Sequence, residues 1–280
     1  MKAARAVPVL MYHHVSPSEG MITTSPVNFE RQLAWLRRHG YRSLTGDGFA
    51  KHLAGGPTPP RSILITFDDG YLDNWVYAYP LLKRYGFNAM VFLVTSWIGE
   101  GLARPCLGQG DLPETPSHRE CEARIQRGAR DEVMLRWAEV KTMLADGVFE
   151  FHSHTHSHTR WDKSDQADHK NTLMAEELAL SRKTLSEHLG RVSSHLCWPQ
   201  GYFDADYIEL ARQAGFRYLY TTNAFGQNRA GMDPAFIYRF AVRNTSRGSF
   251  GRRIWIAADP WFGPLFNQWK LWKRSRRRQT

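Results

Sequence analysis

Short apolar runs alternate with amphipathic stretches along most of the chain. Val7 to His14 opens this pattern as an apolar run that ends in two histidines and reads as a first strand. An amphipathic helix follows, with Asn28 placed to cap it, Phe29, Leu33 and Leu36 at helical spacing, and Gly40 to stop it. A short strand near 41–44, a small helix near 47–53 and a Gly-Pro linker over 55–60 lead to Ile63-Leu64-Ile65-Thr66-Phe67-Asp68-Asp69-Gly70. That run has the composition of a buried strand and ends in two adjacent carboxylates. Helical spacing resumes through Leu72, Val76, Tyr79 and Leu82 and ends at Gly86, with Asp73 at the start where a carboxylate suits the positive end of the helix dipole.

Residues 88–96 read as the next strand, after which 99–136 break the rhythm. This stretch is rich in Gly, Pro, Arg and Glu, with a weak helical piece near 118–126, and a loop so long in a compact domain is usually functional or disordered. It reads as a cover for one side of a cleft. His118, Arg119, Arg124 and Arg127 either meet acidic sugars or phosphates there or form a solvated charged surface. The alternation then returns with a helix over 135–144, a strand over 148–151, a helix over 172–189 stopped by Gly190, a helix over 205–214, and strands over 216–220 and 237–242. Strands alternating with helices at this spacing predict parallel βαβ units without an internal repeat. A length of 280 residues suits one barrel-sized domain.

The candidate chemistry sits at two strand ends. Two neighbouring buried carboxylates, Asp68 and Asp69, cannot both stay ionised without a cation or a proton between them. The tract His152-Ser153-His154-Thr155-His156-Ser157-His158 can supply the partners. His154 and His158 are four apart, so one face of a helical turn would aim both at one divalent ion. Two histidines and one Asp leave coordination positions open, which allows water activation and polarisation of a carbonyl. His152 and His156, offset from that pair, read as supporting or solvated groups. Cys106, Cys121 and Cys197 are few, odd in number and scattered, which argues against a disulfide framework and suits a reducing compartment. Cys197 reads as a buried, inert thiol.

Thr66-Phe67-Asp68-Asp69-Gly70 and Ser153-His154-Thr155-His156-Ser157-His158 together resemble the first two motifs of the polysaccharide deacetylases, the NodB-homology enzymes of carbohydrate esterase family 4. The resemblance implies an α/β fold, a distorted (β/α) barrel commonly of seven strands. It implies Asp68 as catalytic base and Asp69, His154 and His158 as metal ligands, with Zn²⁺ first and Co²⁺, Ni²⁺ or Fe²⁺ open. His195-Leu196-Cys197-Trp198-Pro199-Gln200-Gly201 stands at the third motif and keeps its Pro-x-Gly frame, so Pro199, Gln200 and Gly201 would line the oxyanion site. The motif's Arg is not visible, and Gln200 replaces its Tyr. Tyr12-His13 is similar to the segment opening the branch that acts on exopolysaccharide and poly-N-acetylglucosamine. Because 237–242 carry no histidine, the general acid would come from the front of the chain, His13 ahead of His14. A catalytic domain would then span 1–259, with 97–135 as an inserted lid and 260–280 as a separate tail.

That tail carries six basic residues, Lys270, Lys273, Arg274, Arg276, Arg277 and Arg278, and no acid, against a net charge of +10 for the chain. Phe262, Leu265, Phe266, Trp269 and Trp272 recur beside them at helical spacing, as in a helix lying on an anionic membrane surface. Packing against the barrel and a solubilising tail are the alternatives, and no nucleic-acid motif accompanies the charge. Val7 to Tyr12 is too short for an export signal, and no window reaches the roughly 18 apolar residues of a spanning helix. The expectation is a cytoplasmic protein, peripheral on the inner face of a membrane. It would be a metal-dependent N-deacetylase of an N-acetylhexosamine in a cell-surface glycan precursor, the lipopolysaccharide core or a lipid-linked sugar. Alternatives are deacetylation of poly-N-acetylglucosamine or another polysaccharide, hydrolysis of an O-acetyl ester or a non-sugar amide, and an inactive carbohydrate-binding protein.

Overall fold

A computed structural model describes residues 3–245 and 247–276. In chain order its elements are β1 (Val9–Tyr12), β2 (His14–Val15), β3 (Thr23–Thr24), α1 (Pro26–Arg38), β4 (Arg42–Ser43), α2 (Gly46–Leu53), β5 (Ser62–Asp69), α3 (Tyr79–Tyr85) and β6 (Ala89–Leu93). There follow α4 (His118–Gln126), α5 (Trp137–Ala145), β7 (Phe149–Ser153), α6 (Lys170–Leu189), β8 (His195–Cys197), α7 (Ala205–Gln213), β9 (Tyr218–Tyr220), β10 (Phe240–Ala241), α8 (Arg247–Ala258) and α9 (Phe262–Arg276). The main sheet runs β10-β1-β5-β6-β7-β8-β9 with every pairing parallel, and β4 adds to the start of β5. A parallel bridge between Tyr220 and Ile237 brings the two ends of this sheet together. The result is a distorted (β/α) barrel with seven strands on its main path.

Period-two alternation divides the core. Ile63, Ile65 and Phe67 of β5 pack with Phe29, Leu33 and Leu36 of α1 in the layer between sheet and helices. Leu64, together with Val9, Met90, Phe92, Cys197 and Tyr220, fills the interior. A fully buried side chain of this kind contributes roughly 1.5–3 kcal/mol, so the two layers hold the strand ends in register.

Three local readings need correction. Ser25 caps α1, its Oγ accepting the N–H of Asn28, because Pro26 suits the first helical turn and moves the start upstream of the expected cap. The stretch after Gly70 begins as a π-helix over Asn74–Ala78 before α3, a form often found beside functional sites. The irregular 99–136 stretch is built into the fold: Arg104 is bound to Glu139 of α5, and Arg124 pairs with Glu114, Glu120 and Glu132. The Arg124 charge is therefore already neutralised within the segment.

Candidate active site

β5 delivers both carboxylates to its C-terminal end. On a continuous strand adjacent side chains point to opposite faces, but φ at Asp69 is 74°, which ends the strand and turns the second carboxylate toward the same rim. Asp69, Thr155, His158 and Gln200 account for four of the five non-glycine residues with positive φ among the described residues. Backbone strain is thus concentrated where the motifs converge.

Asp69 Oδ1 lies 3.3 Å from His154 Nε2 and 3.6 Å from His158 Nε2. His154 Nδ1 donates to the Cys197 carbonyl at 2.8 Å, which leaves Nε2 free as a donor of electrons. Burial alone would raise the Asp69 pKa, but the adjacent imidazoles of His154 and His158 and the charge of His13 hold it far below the usual carboxylate range. Asp69 Oδ1 is buried and has no hydrogen-bond partner. An orphaned carboxylate oxygen facing two imidazole nitrogens fits a divalent cation held by Asp69, His154 and His158.

The two histidines are not on a helical turn, as their spacing suggested. They follow β7 on a loop with positive φ at Thr155 and His158, and this loop is held from outside. Buried Glu177 of α6 accepts the N–H groups of His156 and Ser157 at 2.8 and 2.7 Å and the Ser157 hydroxyl at 2.6 Å. Its only sequence signal was an acid on the buried face of an amphipathic helix. Of the other two histidines, His152 is buried inside the barrel against Ser193, so it is not solvated, and half-buried His156 meets the Thr95 hydroxyl.

Asp68 is gripped by a residue the sequence did not single out. Arg239, immediately before β10, is buried, and its Nη1 and Nη2 lie 2.6 and 2.9 Å from the two oxygens of Asp68. Asp68 thus takes its cationic partner from just before the last strand. Cys197 at the third motif packs against it, with Sγ 2.9 Å from Arg239 Nη2 and 3.9 Å from Asp68 Oδ2. This buried thiol therefore belongs to the site rather than lying near it. Burial alone would raise the Asp68 pKa, but the Arg239 charge, with that of His13, brings it below its ordinary value.

His13 and His14 are separated by function of place. His13 Nε2 is 3.8 Å from Asp68 Oδ2 and remains partly exposed, whereas His14 is buried with Nδ1 2.6 Å from Asp73 Oδ2. Asp73 also accepts the Val15 N–H, so the expected helix-start carboxylate anchors β2. Burial lowers the His13 pKa despite the nearby charges of Asp68 and Asp69. Pro199, Gln200 and Gly201 follow directly on Trp198 after β8, and Gln200 Oε1 accepts from Arg160 Nη1 of the histidine loop at 3.4 Å.

A parallel barrel with an Asp-His-His cluster able to hold a metal ion and a second carboxylate at its C-terminal edge has the parts of a hydrolytic site. Residues 55–219, more than half of the chain, match the family described as polysaccharide deacetylase. The chain belongs to that family. It is 26% identical over 201 residues to the poly-beta-1,6-N-acetyl-D-glucosamine N-deacetylase of Staphylococcus aureus (strain MSSA476), covering 70% of this chain and 60% of that protein. The chain thus spans less than two thirds of that relative. The structure of IcaB from Ammonifex degensii superposes with a TM-score of 0.70 at 27% identity, covering 92% of this chain and 99% of the other. The Streptococcus pyogenes deacetylase PplD, solved in complex with acetate, shares the fold with a TM-score of 0.70 at 19% identity, covering 92% and 100%.

Proposed function

We propose that this chain is a metal-dependent N-deacetylase that releases acetate from an N-acetylhexosamine. The observation that carries the reading is the unpartnered Asp69 Oδ1 between His154 and His158, beside a second carboxylate fixed by Arg239. A divalent ion at Asp69, His154 and His158, Zn²⁺ first for this donor set, would supply a Lewis acid that activates water and polarises the acetamide carbonyl. Asp68, kept ionised by Arg239, takes the proton of the attacking water on Oδ2, the oxygen facing His13. His13 gives a proton to the leaving amine; its lowered pKa makes the imidazolium a ready donor to a more basic nitrogen. The backbone N–H of Gln200, at positive φ after Pro199, is the proposed donor to the developing oxyanion.

For the substrate we favour a sugar carried on lipid, a lipid-linked glycan or the core of a lipopolysaccharide. Support comes from α9, where Leu265, Trp269, Leu271 and Trp272 are exposed beside Lys270, Lys273 and Arg276, the chemistry of a helix at an anionic membrane surface. No helix among the described residues is long and apolar enough to cross a membrane. Poly-N-acetylglucosamine is the second reading, favoured by the named activity of the S. aureus relative.

The deciding experiment offers zinc-loaded protein and its Asp68→Asn variant an N-acetylglucosamine oligomer and an N-acetylhexosamine glycolipid in anionic vesicles. Mass loss of one acetyl group with wild type alone supports the reaction, and the preferred acceptor separates the two substrates. Acetate release by neither protein from either acceptor would remove the N-deacetylase reading.

A further inference from the structure

α8, α9, the loop 224–228, the start of β1 and the edge strand β10 line an open cleft of about 830 Å³. One part of its wall is aromatic, from Trp255, Phe262, Phe266 and Trp269. Another is cationic, from Arg243, Arg252, Arg253 and Lys270. Among the described residues, no acidic one lines it. Arg253 is half-buried and spends one Nη on the Ala241 carbonyl at 2.8 Å, with its guanidinium over the Phe240 ring. Among the described residues, none of the three arginines forms an ion pair with a carboxylate, and the side chains of Arg243 and Arg252 make no hydrogen bond. Burial and the neighbouring Arg243 charge push the Arg253 pKa down, the mark of a cation held without its counter-ion.

A half-buried guanidinium without a carboxylate is costly unless an anion completes it. Three arginines lining one space offer the N–H donors through which arginine binds a phosphate. The aromatic wall beside them is apolar and would be wasted on a free inorganic anion. We propose that this cleft binds a single anionic amphiphile, a phosphate headgroup against Arg243, Arg252 and Arg253 with its hydrocarbon against Phe262, Phe266 and Trp269. None of Asp69, His154 and His158 lines the site, which meets the catalytic region only through Arg239. It deepens the membrane-surface reading by assigning it a stoichiometric lipid phosphate in addition to the diffuse charge of α9.

Calorimetric titration of the metal-loaded chain tests this with water-soluble probes: dihexanoyl phosphatidic acid, dihexanoyl phosphatidylcholine and inorganic phosphate. One saturable site for the phosphatidic acid is expected, with the other two probes at least about tenfold weaker. In the Arg243→Gln/Arg252→Gln variant, whose lost side chains hold nothing in the fold, affinity should fall by about tenfold or more. Its deacetylase activity on a soluble glycan and its melting temperature should not change. Equal binding of inorganic phosphate overturns the amphiphile, equal binding of phosphatidylcholine overturns the headgroup site, and an absence of saturable binding overturns both. Co-sedimentation of the same protein with anionic vesicles reports the membrane reading independently: loss of vesicle binding with intact phosphatidic acid binding sinks that reading and leaves the cleft site standing.

Discussion

Arg239 and Asp68 lie 171 positions apart and form a bidentate pair in a buried interior. Removing one partner from such a pair leaves the other charge uncompensated, at a cost of about 3–5 kcal/mol. Arg239→Gln should therefore unfold at lower urea concentration at pH 7 and lose deacetylase activity. The sign of the pH effect follows from the lowered Asp68 pKa. Stability from a depressed carboxylate is present above its unfolded value, about 3.9, and is lost as pH falls through the folded one. The gap between wild type and Arg239→Gln should therefore narrow as urea melts are moved from pH 7 to below pH 4. At the metal cluster, Asp69→Ala removes the shared carboxylate; metal analysis after dialysis should show loss of the bound ion, and chelation of the wild type should abolish acetate release until metal is restored.

Elements, more than single ligands, set the position of the histidines. His158 depends on a loop whose backbone is held by Glu177 of α6 through three short hydrogen bonds. Glu177→Ala should weaken metal binding by about 10–100-fold in a chelator competition while leaving all three ligands in the chain. Unchanged affinity would show that the loop keeps its shape without α6. At the other end of the fold, α8 approaches α1 so closely that a Cβ at Gly251 would stand 2.5 Å from the Trp35 ring. Gly251→Ala should cost about 1–3 kcal/mol in thermal or chemical unfolding, since the helix must move to accept a methyl group.

For the whole molecule, charge and apolar exposure are concentrated at one end of the chain. Trp255, Trp261, Phe262, Leu265, Trp269, Leu271 and Trp272 make up seven of the twelve exposed large hydrophobic residues in the described chain. Attachment through this region would combine aromatic insertion with charge attraction, and only the second is screened by salt. Binding to anionic vesicles should fall by about tenfold or more between 50 and 300 mM salt yet remain measurable. Binding to zwitterionic vesicles should be weak throughout. A salt-independent affinity would assign the aromatic surface to a protein neighbour instead.

The sequence by itself determined the strand and helix alternation, the acidic end of β5 and the histidine tract after β7, because those signals are local: a period of two or 3.6, a stop glycine, residue types within a few positions. It also marked α9, whose amphipathic spacing is read along one segment. Only the tertiary structure decided that Arg239 pairs with Asp68, since closing the barrel brings the last strand to the first. The same holds for His13 facing Asp68 while His14 turns to Asp73, and for Glu177 beneath the histidine loop. Each of these contacts joins residues far apart in the chain, and a contact of that kind leaves no periodicity or spacing in the sequence from which to read it.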